Sequence, residues 1–425
     1  MIVQVSLYGK SLGAVNWDEE RGSAIFQYSE SSYANSIEPS PILMPKEGRT
    51  YQTNRDHKNF HDLPYLLSDS MPDDFGNIMM REWLRKKSLS YDDINPVDRL
   101  TYVGKRGMGA LEYRPINHDS INNNSIDVRG LIEVAKNVLA GKEEISYNDL
   151  NEESLTEILR IGTSVGGARA KALIAIKKDE NGNIEEIKPG DILQSDGYTY
   201  WLLKIDGANK NTLGDPVGAG RIEYAYYKMA IDCGIEMSEC QLFNENDRFH
   251  FLTKRFDRTE LGEKIHMQTL GSLIGVDFKI QKASSYETLF RTMKRLRCNY
   301  QQLEQQFRRA VFNVVARNHD DHVKNFSFLM DTNGEWKISP AYDITYSYNP
   351  GGTWTSEHQS SINGKFDNFI EKDLIDFGEN FGIKKSKLII REIIESVSKW
   401  DHIAKEVDIP QKRASAISKN LRLKL

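Results

Sequence analysis

The sequence has few cysteines, little net charge and no long apolar run, and each of these absences argues against a class of protein. Only three cysteines stand among 425 residues, and no two form a Cys-x-x-Cys pair, so a disulfide framework is not predicted. The formal net charge of -5 argues against a chain that coats nucleic acid with its whole surface. No apolar run reaches the roughly 18 residues of a membrane span, and the first residues lack a signal-peptide pattern. We therefore expect a reduced, cytoplasmic protein without membrane contact.

The length of the chain and the pattern of its first third predict more than one domain. A chain of 425 residues exceeds the size at which a single core keeps growing. Apolar residues alternate along residues 2–9 and 23–29, as they do in strands that bury one face. Residues 70–87 predict a helix, because acidic residues near its start and basic residues near its end suit the helix dipole. The Asn- and Ser-rich stretch 117–127 then indicates a boundary, which we place near residue 115.

Strand patterns occupy the middle of the chain and helical patterns the remainder. Asn181-Gly182 separates two strand-like runs and predicts a hairpin. The stretches "YTYWLLKID" and "FHFLTKRFD" predict two more strands, so an antiparallel sheet is expected. The later stretch "EQQFRRAVFNVVARN" has the apolar period of a helix. We expect an α+β fold with an N-terminal α/β subdomain over residues 1–115, a β-rich lobe over 116–260 and a helical lobe over 261–425.

One short stretch near the end of the helical pattern concentrates chemically active side chains. Residues 317–329, "RNHDDHVKNFSFL", contain two histidines, two aspartates, a lysine and an asparagine before an apolar strand. Taken alone, this run is typical of a polar turn after a helix that ends near Asn318. The following residues favour another interpretation, because Asn333-Gly334 separates two short strand patterns and predicts a hairpin.

The predicted hairpin would bring three oxygen-bearing side chains together. Its closure places Asn325 and Asp343 at one end, with Asp320 on the preceding loop. Phosphoryl transfer uses such a set: one aspartate accepts the proton of the attacking hydroxyl, and an asparagine and a second aspartate hold Mg²⁺. The Asp-x-x-x-x-Asn spacing matches the catalytic loop of protein kinases. We therefore predict a catalytic loop.

Two features upstream are compatible with phosphate binding. Small residues at Gly166, Gly167 and Ala168 would let backbone amides approach phosphate oxygens, although the run is neither a Walker A nor a G-x-G-x-x-G sequence. Lys204 lies among apolar residues on a predicted strand, where an anionic partner would offset its desolvation. Lys204 extending its ammonium to the sheet edge is an equally open interpretation.

The order of these parts resembles the HipA family of bacterial toxin–antitoxin serine/threonine kinases. The stretches "SVGGARAK", "LLKID", "TKRFDR", "NHDDHVKNFSF" and "PAYDI" follow one another as in that family. Two further stretches, "LLSDSMPDDFG" and "GKRGMGAL", resemble the N-terminal subdomain of that family, so the resemblance covers essentially the whole chain. The resemblance implies a two-lobed protein-kinase-like fold with a β-rich N-lobe, a helical C-lobe and an extra N-terminal subdomain. It also implies that the protein uses ATP and Mg²⁺.

The resemblance also implies roles for residues at matching positions. Asp320 would be the catalytic residue, Asn325 and Asp343 would bind Mg²⁺, and Ser164 would be autophosphorylated to switch the kinase off. Asp321 stands where many members have glycine, and this extra carboxylate would raise a neighbouring pKa or supply another metal contact. The implied nucleotide-binding residues are Gly166, Gly167, Ala168, Arg169, Ala170 and Lys171 in the phosphate loop, Lys204, the hinge residues Lys254, Arg255 and Phe256, and His322, Val323, Lys324, Asn325, Tyr342 and Asp343.

The family further implies a biological setting for this activity. The chain would be the toxin of a type II toxin–antitoxin system, and it would phosphorylate a translation component such as an aminoacyl-tRNA synthetase. Its partner would be a small HipB-like helix-turn-helix antitoxin, through which the chain would reach operator DNA.

Two other functions are compatible with parts of the sequence. A metal-dependent phosphohydrolase would use the ligands of "HDDH", His319 to His322, but it would need further ligands at a distance. An inactive kinase-like module would bind the antitoxin on DNA without transferring phosphate. Transfer of phosphate from ATP to protein distinguishes the kinase from both.

Overall fold

A computed structural model describes most of the chain and divides it into two compact units. The described residues are 1–53, 58–72, 74–116, 125–126, 128–139, 170–207, 218–245 and 248–425. Every helix among these residues is too short or too polar to cross a membrane. The three-part division of the sequence stays a prediction. The first unit comprises the described parts of Met1–Val217, Phe243–Gln268 and Asp331–Gly334, and the second comprises Gly218–Leu242, Thr269–Met330 and Glu335–Leu425.

The first unit begins with an antiparallel sheet and four helices. The strands predicted over residues 2–9 and 23–29 are confirmed, and so is the helix predicted over residues 70–87. Val3, Val5 and Leu7 of the first strand are buried, as the alternating pattern predicts. The sheet order is β4-β3-β2-β1-β5. The elements are β1 (Ile2–Leu7), β2 (Lys10–Asp18), β3 (Ser23–Tyr28), β4 (Thr50–Tyr51), β5 (Leu111–Arg114), α1 (Tyr65–Ser68), α2 (Asp74–Lys86), α3 (Pro96–Val103) and α4 (Val128–Leu139).

A second antiparallel sheet follows in the middle of the chain. Its order is β7-β6-β8-β10, with β9 at the edge. The predicted hairpin is confirmed, since β6 and β7 pair across a turn in which Gly182 has φ = +82°, a conformation that glycine adopts without steric cost. The strands of this sheet are β6 (Lys171–Lys178), β7 (Ile184–Pro189), β8 (Tyr198–Lys204), β9 (Cys240–Glu245) and β10 (Arg248–Lys254), and β11 (His266–Thr269) follows outside it.

A buried carboxylate connects distant segments of the first unit. Asp257 is fully buried, and its oxygens accept hydrogen bonds at 2.8–2.9 Å from Arg255, from Arg258 and from the amide of Gly109. Burial alone would raise the pKa of Asp257, but the charges of Arg255 and Arg258 hold it well below its usual range. Arg255 also donates to the carbonyl of Gly190 at 2.8 Å. The carboxylate therefore links the end of the N-terminal region to the second sheet.

The second unit is mainly helical and contains one short hairpin. The apolar face predicted for "EQQFRRAVFNVVARN" is confirmed, because Phe307, Val311, Val314 and Val315 of α8 are completely buried. Strands β13 and β14 pair antiparallel, as predicted. The elements are α5 (Ala219–Asp232), α6 (Leu270–Ile274), β12 (Ser284–Ser285), α7 (Tyr286–Arg295), α8 (Tyr300–Val315), β13 (Ser327–Met330), β14 (Trp336–Ile338), β15 (Ser360–Ser361), α9 (Glu371–Phe381), α10 (Ser386–Ser398), α11 (Trp400–Glu406) and α12 (Gln411–Ser418).

The substitution Asp257→Asn is expected to destabilise the protein strongly, by about 3–5 kcal/mol, because it leaves two buried guanidiniums without a counter-charge. The folded-state pKa of Asp257 is lowered, so its stabilising contribution is present above the ordinary carboxyl pKa and is lost only as the pH falls through the folded value. The measurement is the urea-unfolding midpoint at pH 7.

The matched control is Glu260→Gln. Glu260 forms an ion pair with Lys254 at 2.7 Å, but its side chain is 77% exposed, so its loss should cost less than about 1 kcal/mol. Equal shifts in the two variants would contradict the role assigned to Asp257.

Candidate active site

The polar loop between α8 and β13 is held at its start by a serine from a later segment. Helix α8 ends at Val315, three residues before the predicted end at Asn318. The hydroxyl of Ser347 accepts hydrogen bonds from the amides of His319 and Asp320 at 2.7 and 3.0 Å, and it donates to Asn318 Oδ1 at 3.2 Å. Ser347 is not predictable from the sequence, because no local motif connects it with a loop 27 residues earlier.

The two adjacent aspartates of the loop lie in opposite environments. The Asp320 side chain is 47% exposed, whereas the Asp321 side chain is completely buried. An ionised carboxylate can only accept hydrogen bonds, and both Asp321 oxygens receive donors. These are the Tyr286 hydroxyl at 2.9 Å and His358 Nδ1 at 2.8 Å on Oδ2, and the amides of Gln359 at 2.7 Å and Ser360 at 3.3 Å on Oδ1.

The sequence suggested that Asp321 raises a neighbouring pKa or contacts a metal, and the structure bears out the first of these together with a structural role. Burial and the charge of Asp321 raise the pKa of Tyr286 well above its usual value, so the phenol remains a hydrogen-bond donor. Tyr286 also accepts a hydrogen bond from Asn313, which in turn accepts one from Asn318, both at 2.9 Å. A continuous buried network thus connects helix α8, the catalytic-loop candidate and residues 358–360.

The "HDDH" run does not converge on a single point. His319 is buried with its ring centroid 4.1 Å from that of His358, and burial, with the nearby charges, lowers the pKa of His319 to about 2. His322 instead lies beside the exposed Asp320, with 3.6 Å between Nε2 and Oδ1. Among the described residues, no three His, Cys, Asp or Glu side chains are arranged to hold a metal ion. The geometry therefore gives no support to the phosphohydrolase alternative.

The amide of Asn325 is oriented by the backbone of Asp320. Asn325 Nδ2 donates to the Asp320 carbonyl at 2.7 Å. Because that carbonyl can only accept, the nitrogen must face it and the amide oxygen is turned away. Asn325 ends a single turn, Val323–Asn325, and Phe326 separates this turn from β13. The bond therefore turns Asn325 Oδ1 away from the Asp320 carbonyl.

The hairpin brings Tyr342 and Asp343 back to this loop. Beyond the paired strands, the Ser339 amide donates to the Ser327 carbonyl at 2.8 Å, and the Tyr342 hydroxyl donates to the Lys324 carbonyl at 2.6 Å. The hydroxyls of Tyr342 and Ser327 are also 2.6 Å apart. Asp343 follows with φ = +56°, a left-handed conformation that aspartate tolerates better than most residues. The two ends of the hairpin therefore meet, as predicted.

In the first unit, two of the predicted phosphate-binding lysines face each other. Lys171 on β6 and Lys204 on β8 are directly opposite in the strand register, and both are buried. The Lys204 ammonium lies 5.6 Å from the ring centroid of Phe251. Ala170 is also buried, and Ser164, Gly166, Gly167, Ala168 and Arg169 lie outside the described residues.

The side chains at the predicted hinge are engaged elsewhere. The Lys254 ammonium pairs with Glu260 at 2.7 Å, and the Arg255 guanidinium is bound to Asp257. The Arg255 amide donates to the Tyr200 carbonyl at 2.8 Å. The contact of Lys254, Arg255 and Phe256 with adenine stays a prediction. Because the side chains of Lys254 and Arg255 and the Arg255 amide are already bonded, such a contact by these two residues would use their other backbone groups.

Substitution of the two neighbouring aspartates should separate stability from chemistry. Asp321→Asn places an amide nitrogen among buried donors and should destabilise the chain by about 3 kcal/mol. Asp320→Asn changes an exposed group and should alter stability by less than about 0.5 kcal/mol. Urea unfolding of the two variants and the parent chain makes the comparison, and equal destabilisation would contradict the assignment of Asp321 as the anchor.

Comparison with known proteins places these features in a family. The chain is 25% identical over 234 residues to a Haemophilus influenzae protein named "Putative kinase", an alignment covering 48% of this chain and 68% of the relative. It is 23% identical over 363 residues to "Putative kinase Y4dM" of Sinorhizobium fredii, covering 81% of this chain and 76% of that protein.

A solved structure shares the fold over nearly the full length. The Shewanella oneidensis HipA toxin, solved in a complex with HipB and its operator DNA, superposes with a TM-score of 0.67 at 15% identity over 98% of this chain and 94% of that one. The model of the HipA N-terminal domain matches residues 3–114, and that of the HipA-like C-terminal domain matches residues 163–402. With these two matches, the chain belongs to the HipA family.

Proposed function

We propose that this chain is an ATP- and Mg²⁺-dependent serine/threonine protein kinase with a two-lobed kinase-like fold. The observation that carries the proposal is the closure of the hairpin on the loop. Asn325 is bonded to the Asp320 carbonyl, and Tyr342, which precedes Asp343, is bonded to the Lys324 carbonyl. Membership of the HipA family and relatives named as kinases support the same activity.

Asp320 is the residue proposed to accept the proton of the attacking hydroxyl. Its side chain is exposed enough to be reached by a protein substrate, while its backbone is fixed by Ser347 and Asn325. Positioning of this kind contributes much of the rate enhancement in phosphoryl transfer.

Asn325 and Asp343 are proposed to hold Mg²⁺. An amide oxygen and a carboxylate are the hard oxygen ligands that this ion prefers, and the orientation of Asn325 leaves its oxygen turned away from the Asp320 carbonyl. When bound, Mg²⁺ supplies positive charge that offsets the charge on the nucleotide phosphates. In the first unit, the resemblance to the family supports Lys171 and Lys204, which lie opposite each other on β6 and β8, as contacts for phosphate oxygens.

The biological role is proposed from the family. The HipA of Shewanella oneidensis was solved with HipB and operator DNA, which supports a helix-turn-helix antitoxin as partner and DNA reached through it. We propose that the chain is the toxin of such a pair and phosphorylates a translation component such as an aminoacyl-tRNA synthetase. Autophosphorylation of Ser164 would switch it off, because a phosphoserine beside a phosphate-binding loop would compete with ATP.

Incubation with labelled ATP and Mg²⁺ tests the proposed chemistry. The parent chain, freed of prior phosphate, is expected to label itself, and mass spectrometry should place the phosphate on Ser164. Asp320→Ala should carry no label, because the hydroxyl proton has no acceptor. Ser164→Ala should lose the self-label but still hydrolyse ATP. If neither the parent nor Ser164→Ala transfers or releases phosphate, the inactive binding module becomes the better interpretation.

The Mg²⁺ requirement tests the role of Asp343. Asp343→Asn is expected to raise the Mg²⁺ concentration for half-maximal activity by about tenfold or more, since a charged metal ligand is lost. Asp331→Asn is the control, because Asp331 lies at the turn of the same hairpin and bonds to Asn333. An unchanged Mg²⁺ requirement in Asp343→Asn would argue against its role as a ligand.

A further inference from the structure

The candidate catalytic loop begins at a residue with a strained backbone. Arg317, two residues after the end of α8, has φ = +61°. This left-handed conformation is costly for residues other than glycine, and it persists only where surrounding contacts hold it. The Arg317 side chain is 15% exposed, and no role proposed above uses it. A strained residue at the start of a catalytic loop indicates a functional constraint.

The guanidinium of Arg317 is held by residues 420–422, which follow α12 and are called the clamp segment below. Arg317 Nε donates to the Asn420 carbonyl at 2.7 Å. Arg317 Nη1 also lies 3.5 Å from Asp367 Oδ1, and Arg422 pairs with the same oxygen. One carboxylate therefore joins the start of the loop to the clamp segment, and a direct hydrogen bond reinforces this connection.

The clamp segment also holds the chain before and after the loop. The Arg422 amide donates to the last carbonyl of α8 at 2.9 Å. Asn420 Nδ2 donates to the Tyr346 hydroxyl at 2.9 Å, and Tyr346 directly precedes Ser347. The clamp segment thus bonds to both parts of the chain that meet at Asp320.

Arg317 is connected to Asp320 through Ser347. The Arg317 carbonyl accepts the Ser347 amide at 3.3 Å, and Arg317 Cζ lies 4.4 Å from the ring centroid of Tyr348. The Ser347 hydroxyl in turn accepts the Asp320 amide at 3.0 Å. The position of the Asp320 backbone therefore depends on the contacts that Arg317 makes.

We propose that Arg317, fixed by the clamp segment, is a positioning residue for Asp320. A displacement of about 1 Å at a reacting group can lower the rate about 100-fold. Arg317 acts through Ser347 and the backbone of the loop, without a contact to nucleotide or substrate. This inference rests on the proposed kinase function and adds to it a dependence on a residue 103 positions later in the chain, Asn420.

The substitution Arg317→Gly tests the proposal, because glycine adopts this backbone conformation without steric cost while the side-chain contacts are lost. It is made in a chain that carries Ser164→Ala and so lacks the proposed inactivating modification. ATP turnover is measured with Mg²⁺ as the release of labelled phosphate. Arg317→Gly is expected to lower kcat about tenfold or more, with KM for ATP within about twofold of the Ser164→Ala chain.

The matched control is Arg308→Ala on α8. The Arg308 side chain is 16% exposed, pairs with Glu392 at 2.8 Å and donates to the Cys233 carbonyl at 3.1 Å. Neither partner has a proposed role in the transfer of phosphate. Alanine suits a helix as glycine suits the left-handed position. Because no strain is relieved, Arg308→Ala should lower the urea-unfolding midpoint at least as much as Arg317→Gly, but kcat should stay within about twofold.

Hydrogen exchange gives a second readout that does not depend on activity. The amides of His319 and Asp320 are bonded to the Ser347 hydroxyl. Loss of the Arg317 contacts should speed the exchange of both amides about tenfold in Arg317→Gly, because the loop opens locally. A general loss of stability would speed their exchange in Arg308→Ala as well.

The substitution Asn420→Ala tests the clamp segment itself. It removes the bond from Asn420 Nδ2 to the Tyr346 hydroxyl and should lower kcat about threefold. Because Arg317 and Asn420 are proposed to act through one connection, the double variant should be no slower than Arg317→Gly.

The outcomes separate this inference from the proposed function. A lower kcat and faster exchange in Arg317→Gly, both absent from Arg308→Ala, support the positioning role. An unchanged kcat in Arg317→Gly, an equal loss in Arg308→Ala, or losses that multiply in the double variant overturn it and leave the kinase intact. If the Ser164→Ala chain itself turns over no ATP, the proposed function fails and the positioning role fails with it.

Discussion

The buried carboxylate of Asp321 is the constraint on which the candidate site depends. A charge without solvent is costly unless hydrogen bonds replace its hydration, and four donors from two segments, Tyr286 and residues 358–360, supply them. Asp321 is held inward, whereas the side chain of its neighbour Asp320 remains 47% exposed.

Each unit of the protein uses a buried aspartate, but the two are stabilised differently. Asp257 is balanced mainly by the charges of two arginines, whereas Asp321 is held by neutral donors and one histidine. The Asp257 carboxylate, paired with two cations, fixes the core of the first unit, and little of its charge is available to bind a ligand. The Asp321 carboxylate, bonded to Tyr286, His358 and two backbone amides, fixes the loop beside Asp320. This difference agrees with a structural role for Asp257 and an indirect role in activity for Asp321.

The sequence predicted what depends on local pattern and missed what depends on distant contacts. Alternation and turn residues predicted the hairpin that closes at Tyr342, and helical period predicted α8. Nothing in the local pattern indicated that Asp321, and not Asp320, is buried, because its donors stand 35 to 39 residues away. Ser347 was missed for the same reason. The sequence suggested that the extra carboxylate of Asp321 acts beside the reacting groups. It anchors the loop, because Tyr286 and His358 are hydrogen-bonded to it.

A crystal structure of the chain with Mg²⁺ and a non-hydrolysable ATP analogue would test the central claim most directly, because it shows which oxygens hold the metal. The account predicts Mg²⁺ at about 2.0–2.1 Å from Asn325 Oδ1 and from an Asp343 oxygen, with Asp320 beside the terminal phosphate and Asp321 still bonded to Tyr286 and His358. A metal bound by Asp321 and the histidines of residues 319–322, or a nucleotide bound away from this loop, would contradict it.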